Sequence, residues 1–103
     1  MITFVEDRNF TRDAGRLLTE TELIALMTKI AKSPDAGVLI PGSGGCRKLR
    51  FSAKGKGSRG GARVIYAIRP GVGQVRLLAI YAKGEKDNLS AREIGAFKLR
   101  DNP

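Results

Sequence analysis

Apolar residues recur along this chain at two intervals, and the interval changes near residue 35. Phe10, Ala14, Leu17 and Leu18 are spaced as one face of a helix, although Gly15 weakens that segment. Leu23, Leu26, Met27, Ile30 and Ala31 form a second apolar stripe with helical period. Thr19 and Glu22 fit the capping box S/T-x-x-E, and Leu18 and Leu23 stand where a hydrophobic staple places them. Ser33-Pro34 stops this helix, because the residue before a proline avoids helical dihedrals. A stripe of this spacing, Met27 included, reads as core packing rather than as a cofactor box.

The remaining segments read as extended chain. Ile2-Thr3-Phe4-Val5 predicts a short strand. Val38-Leu39-Ile40 runs into Pro41-Gly42-Ser43-Gly44-Gly45, which predicts a loop. Strands are then expected at Cys46–Phe51, Ala62–Arg69 and Gln74–Ala82. In the second of these, Val64, Tyr66 and Ile68 share one face. In the third, strict alternation assigns Leu77, Ala79 and Tyr81 to one face and Leu78 and Ile80 to the other. Apolar residues on both faces mark a central strand. The connections over 52–61 and 70–73 are too short for a crossover helix, so the three strands are antiparallel. Ser90 and Glu93 make a second capping box, with Leu89 and Ile94 as its staple, and open a C-terminal helix carrying Ile94 and Phe97. The order is β-α-α-β-β-β-α: an α+β fold, a small antiparallel sheet with helices packed on one face. With 103 residues, no internal repeat and no linker, one domain spanning 1–103 is expected.

Charge changes the picture from fold to function. The net charge is +9. All ten acidic residues lie at or before Asp35 or at or after Glu85. Between residues 36 and 84 stand Arg47, Lys48, Arg50, Lys54, Lys56, Arg59, Arg63, Arg69, Arg76 and Lys83, with no acid among them. A solvated face normally mixes both signs, whereas an acid-free cationic stretch points to a polyanionic partner, RNA above all. The segment Gly55-Lys56-Gly57-Ser58-Arg59-Gly60 fits G-x-G-x-x-G, but a strand follows it and the next acid is Glu85, so the dinucleotide reading fails. What remains is a glycine-rich hairpin tip whose Lys54, Lys56 and Arg59 can approach phosphates.

Other residue types exclude chemistry. There is no histidine, and Cys46 is the single cysteine. That removes the usual general base, an intramolecular disulfide and the common zinc ligand sets, so neither a metal nor another cofactor is expected. The N-terminal segment lacks the basic and apolar regions of a signal peptide, and no apolar run approaches a membrane span. The expected location is cytoplasmic, with no membrane partner.

Three stretches together resemble a known family. The first is Pro41-Gly42-Ser43-Gly44-Gly45-Cys46-Arg47-Lys48-Leu49-Arg50-Phe51. The second is Lys54-Gly55-Lys56-Gly57-Ser58-Arg59-Gly60-Gly61-Ala62-Arg63-Val64-Ile65-Tyr66. The third runs from Leu77-Leu78-Ala79-Ile80-Tyr81-Ala82-Lys83-Gly84 to Glu85-Lys86-Asp87-Asn88-Leu89-Ser90. Each resembles the toxins of the RelE/HigB group, within the RelE/ParE superfamily. The resemblance covers nearly the whole chain, is strongest from Val38 to Ser90, and agrees with the element order.

It implies a bacterial toxin of a type II toxin–antitoxin system. Such toxins are messenger RNA interferases, endoribonucleases that cut mainly on the ribosome and arrest translation, silenced by a helix-turn-helix antitoxin. The chain resembles the lysine/arginine branch: Lys54 and Lys56 match its Lys-x-Lys pair, Arg63 its strand arginine, and Tyr81 with Lys83 its aromatic and basic pair. The short tail after Phe97 leaves out any functional tyrosine beyond that helix. Cleavage by the RNA's own 2′-hydroxyl needs a proton acceptor, a proton donor and cations around the phosphate, and no metal. Lys83 or Tyr81 is the expected proton-exchanging group, with Arg63 and Arg47 stabilising charge. Lys48, Arg50, Lys54, Lys56 and Arg59 are the expected RNA-binding residues. Two alternatives stay open: a ParE-like toxin directed at DNA gyrase, and a non-catalytic RNA-binding module. The latter usually interleaves aromatic and basic residues on a sheet, and only Phe51, Tyr66 and Tyr81 are available here.

Overall fold

Both helix-start signals are used as the sequence requires. A computed structural model describes residues 2–53, 61–85 and 89–101, with side chains up to Phe97 in the last segment. Helix α1 (Arg8–Leu17) buries Phe10, Ala14 and Leu17 and runs through Gly15, which stays exposed. Helix α2 (Glu20–Lys32) begins at Thr19, whose hydroxyl accepts the Glu22 N–H at 3.1 Å while the Glu22 carboxylate accepts the Thr19 N–H at 2.9 Å. The same reciprocal pair, Ser90 with Glu93, opens α3 (Ala91–Asp101).

The strands are β1 (Thr3–Glu6), β2 (Val38–Leu39), β3 (Cys46–Phe51), β4 (Ala62–Arg69) and β5 (Gln74–Ala82), and a single 3₁₀ turn (Pro70–Val72) joins the last two. They form one sheet in the order β1-β5-β4-β3-β2. The α+β class and the antiparallel set β3-β4-β5 match the sequence expectation. Strand β5 is an interior strand, paired on both sides, in keeping with its two apolar faces.

Four details differ from that expectation. Val38 and Leu39 pair with Lys48 and Arg47 as a two-residue edge strand that the expected order did not include. Strand β1 pairs parallel with β5, so the sheet is mixed. The strand register places Ile65 opposite Ala79 but Tyr66 opposite Leu77, leaving Leu78 as the extra residue of a β-bulge. Strict alternation therefore breaks there: Leu77 and Ile80 share one face, while Leu78 and Tyr81 share the other. Finally, the helices do not all lie on one face. Phe10, Leu17, Leu26 and Ile30 of α1 and α2 pack with Leu49, Val64, Tyr66, Val75, Leu77 and Ile80. Phe97 of α3 joins Cys46, Ile65, Ala67, Leu78 and Tyr81 on the opposite side. The bulge adds Tyr81 to that second apolar patch, and Phe97 of the third helix packs on it.

Tyr66 ties the first core to the chain above it. Its ring is fully buried; its hydroxyl donates to Pro34 O at 2.7 Å and accepts the Gly37 N–H at 2.9 Å. A Cβ at Gly37 would lie 2.9 Å from that hydroxyl, so the close approach needs glycine. Burial raises the Tyr66 phenol above its ordinary range, against the opposing pull of the Gly37 N–H and Arg47.

Candidate nucleic-acid interface

Pairing brings three of the proposed side chains into one row. Arg50 of β3 stands opposite Arg63 of β4, and Arg63 stands opposite Tyr81 of β5. Directly opposed residues have Cβ atoms roughly 5 Å apart, so the two guanidinium groups and the tyrosine are immediate neighbours. Lys48, two residues before Arg50, shares its face. Lys83 continues the face beyond β5, held by its own N–H on Gly61 O at 3.1 Å. Gly61 has φ +90°, and a Cβ there would meet Phe51 O at 3.0 Å, so this junction also requires glycine.

Arg50, Arg63 and Lys83 line an open cleft of about 440 Å³ together with Phe51, Ser52, Ala53 and Gly61. Among the described residues, three cations line it and no carboxylate does. Among the described residues, none of Lys48, Arg50, Arg63 and Lys83 has an ion-pair partner. Arg63 makes one long hydrogen bond, 3.4 Å, to the carbonyl of Ala62. Uncompensated cations gathered on one wall are suited to hold phosphate, since each remains free to donate.

The remaining proposed residues divide. Arg47 lies on the opposite face of the sheet, across from Tyr66. Its guanidinium donates to Gly37 O at 2.7 Å and Asp35 O at 3.2 Å, so it anchors the chain between α2 and β2 and does not join Arg63. Tyr81 is 5% exposed and packs in the cluster of Leu78 and Phe97, beside Arg63 but outside the lining of the cleft. Lys54, Lys56 and Arg59 fall outside the described residues. Of the other central cations, Arg76 pairs with Asp7 at 2.7 Å and is lost to any ligand.

Sequence reasoning missed a support behind Lys83. The Glu85 carboxylate accepts the Ala82 N–H at 2.6 Å and bonds Arg16 of α1 at 3.0 Å. Nothing in the sequence joins residues 69 positions apart. Among the described residues there is no group of three or more His, Cys, Asp and Glu that could hold a metal ion, and no helix long and apolar enough to cross a membrane.

No protein-family model matches the chain. Solved structures that share its fold include the following two. One is the free state of the E. coli toxin RelE carrying two arginine-to-alanine substitutions; it aligns with a TM-score of 0.62 at 15% identity over 96% of this chain and 95% of that one. The other is the intact E. coli RelBE toxin-antitoxin complex, with a TM-score of 0.61 at 16% identity over 82% of this chain and 100% of the matched chain. At such identities the likeness is one of fold.

Proposed function

We propose that this chain is the toxin of a toxin–antitoxin module and that it cuts messenger RNA held on the ribosome. The observation that carries the reading is the gathering of Arg50, Arg63 and Lys83 in one open cleft, with no carboxylate among its described lining residues and Tyr81 paired opposite Arg63. The fold shared with a protein named a toxin, and with a toxin-antitoxin complex, supports it.

In this reading the RNA's 2′-oxygen attacks the adjacent phosphorus. The bond from phosphorus to the 5′-oxygen breaks, leaving a cyclic phosphate and a 5′-hydroxyl. Arg63 and Arg50 hold the non-bridging oxygens, whose charge grows in the transition state. The Lys83 ammonium, exposed at the cleft rim, donates a proton to the departing 5′-oxygen, and the 2′-hydroxyl proton passes to water. Tyr81, buried beside Arg63, packs in the apolar cluster with Leu78 and Phe97 and takes no direct part in the step. Arg47 has no part in this step. Lys54, Lys56 and Arg59 contribute further positive charge for the message's phosphates, and the ribosome supplies alignment that so small a site lacks. The partners are therefore messenger RNA, the ribosome and a cognate helix-turn-helix antitoxin, all in the cytoplasm.

Translation in a cell-free extract, with the 5′ ends of the message mapped, tests the reading. Cuts at fixed codon positions that vanish in Arg63→Ala are expected. Intact message together with altered plasmid supercoiling would transfer the chain to the gyrase-directed class. Binding without cuts would make it an RNA-binding module.

A further inference from the structure

We infer that Glu85 and Arg16 form a clamp that positions Lys83 over the cleft, so that α1, on the far side of the sheet from the cations, sets the geometry of the proposed reaction. The inference rests on the cleavage reading above. Lys83 and Gly84 follow the last residue of β5, in a turn whose described backbone bonds are the Glu85 N–H on Ala82 O at 3.1 Å and the Lys83 N–H on Gly61 O at 3.1 Å. Glu85 closes that turn from its side chain, taking the Ala82 N–H on Oε1. The same carboxylate is gripped by the Arg16 guanidinium through both oxygens, at 3.1 and 3.0 Å. Arg16 is in turn oriented by Asp13, whose Oδ1 accepts its Nε–H at 3.1 Å. A continuous series therefore runs from Asp13 through Arg16, Glu85 and the Ala82 amide to Lys83.

This series contributes little to the fold. Arg16 and Glu85 are 50% and 37% exposed, and exposed pairs contribute at most about 1 kcal/mol. What they add is placement. The Lys83 backbone thus has two anchors, helix α1 through Glu85 and the Gly61 carbonyl at the entry to β4. With both engaged, the ammonium departs from one defined point. Glu85 is thus a positioning residue, acting through Lys83 and touching no substrate.

The test compares Glu85→Ala, Glu85→Gln, Lys83→Ala and the double variant Glu85→Ala/Lys83→Ala, reading message cleavage on purified ribosomes and amide exchange at Ala82. Glu85→Ala is expected to lower kcat by about 10- to 100-fold, the size of a small misplacement, with KM nearly unchanged. Glu85→Gln, which retains the acceptor for the Ala82 N–H, recovers most of it. In the Lys83→Ala background, removing Glu85 should cost nothing further, because its effect passes through the missing lysine. A full additional loss there would overturn the inference by giving Glu85 an independent structural role. The Ala82 amide should exchange faster in Glu85→Ala. Unchanged exchange removes the clamp whatever the RNA does. A wild-type protein that leaves messages intact while Ala82 exchange responds removes the cleavage reading and the clamp's catalytic purpose with it.

Discussion

Arg63→Gln separates the site from the fold, because the two should move in opposite directions. Arg63 stands directly across from Arg50, and no described carboxylate neutralises either. Like charges opposed across two strands are unfavourable by roughly 0.2–1 kcal/mol. The substitution removes the Arg63 hydrogen bond to the Ala62 carbonyl, but at 3.4 Å that bond is too long to offset the repulsion. Glutamine retains much of the aliphatic stem, so packing on the sheet is largely kept. At low ionic strength the variant should be more stable than the parent by several tenths of a kcal/mol, raising Tm by about 1–8 °C. At 1 M salt the Debye length falls to about 3 Å and the gain should shrink toward zero. Message cleavage should meanwhile fall about 100-fold, the usual effect of removing one group that meets transition-state charge. Thermal melts at two salt concentrations and single-turnover cleavage decide the matter. A variant destabilised by more than about 1 kcal/mol at low salt would mean that Arg63 serves a structural bond. Full cleavage would remove it from the site.

Three further outcomes follow from the same geometry. Arg47→Met should lower stability by about 1.5–3 kcal/mol for each charged hydrogen bond broken, yet leave cleavage per folded molecule unchanged, as urea titration and a normalised cleavage assay would show. Tyr66→Phe strands the Gly37 N–H and should cost about 1–3 kcal/mol. Because burial raises the Tyr66 phenol in the folded chain, the parent's stability is fully present below its unfolded value near pH 10 and is lost as pH rises through the folded one; Tyr66→Phe should flatten that alkaline slope in pH-dependent unfolding. RNA affinity should fall with salt by about 0.7 log units per log unit of salt for each phosphate neutralised, and replacing Lys54, Lys56 and Arg59 together should reduce the slope by roughly two to three units in filter binding.

Most of the fold was legible in the sequence because it is locally encoded. Both capping boxes, the proline stop after α2 and the strand limits of β4 depend on residues within a few positions of one another, and each forms as read. The parallel docking of β1 on β5 was not legible, since it unites segments some seventy residues apart through backbone bonds that carry no side-chain signature. The bulge at Leu78 was hidden for another reason. Leu77 and Leu78 are equally apolar, so hydrophobicity alone cannot show where the alternation slips. That single extra residue reverses the facing of Tyr81 relative to Leu77.

The same parity argument decides which cations can meet a ligand. On β3, Arg47 differs from Lys48 by one position and from Arg50 by three, so a regular strand must send it to the other face. That separation was readable in advance, and a total of ten central cations concealed it. Strand β4 is equally regular on its own, which fixes Arg63 opposite Val64 and Tyr66 in facing. Only β5 needs its partner to be known: without the bulge, Tyr81 would share the face of Leu77 and point into the core beneath α1 and α2. With the bulge it lies beside Arg63, and Lys83, two residues on, reaches the cleft. The assembly of the proposed site therefore depends on Leu78 as an inserted residue. Any change that restored even alternation at this point would move Tyr81 and Lys83 away from the arginines without altering a single cation.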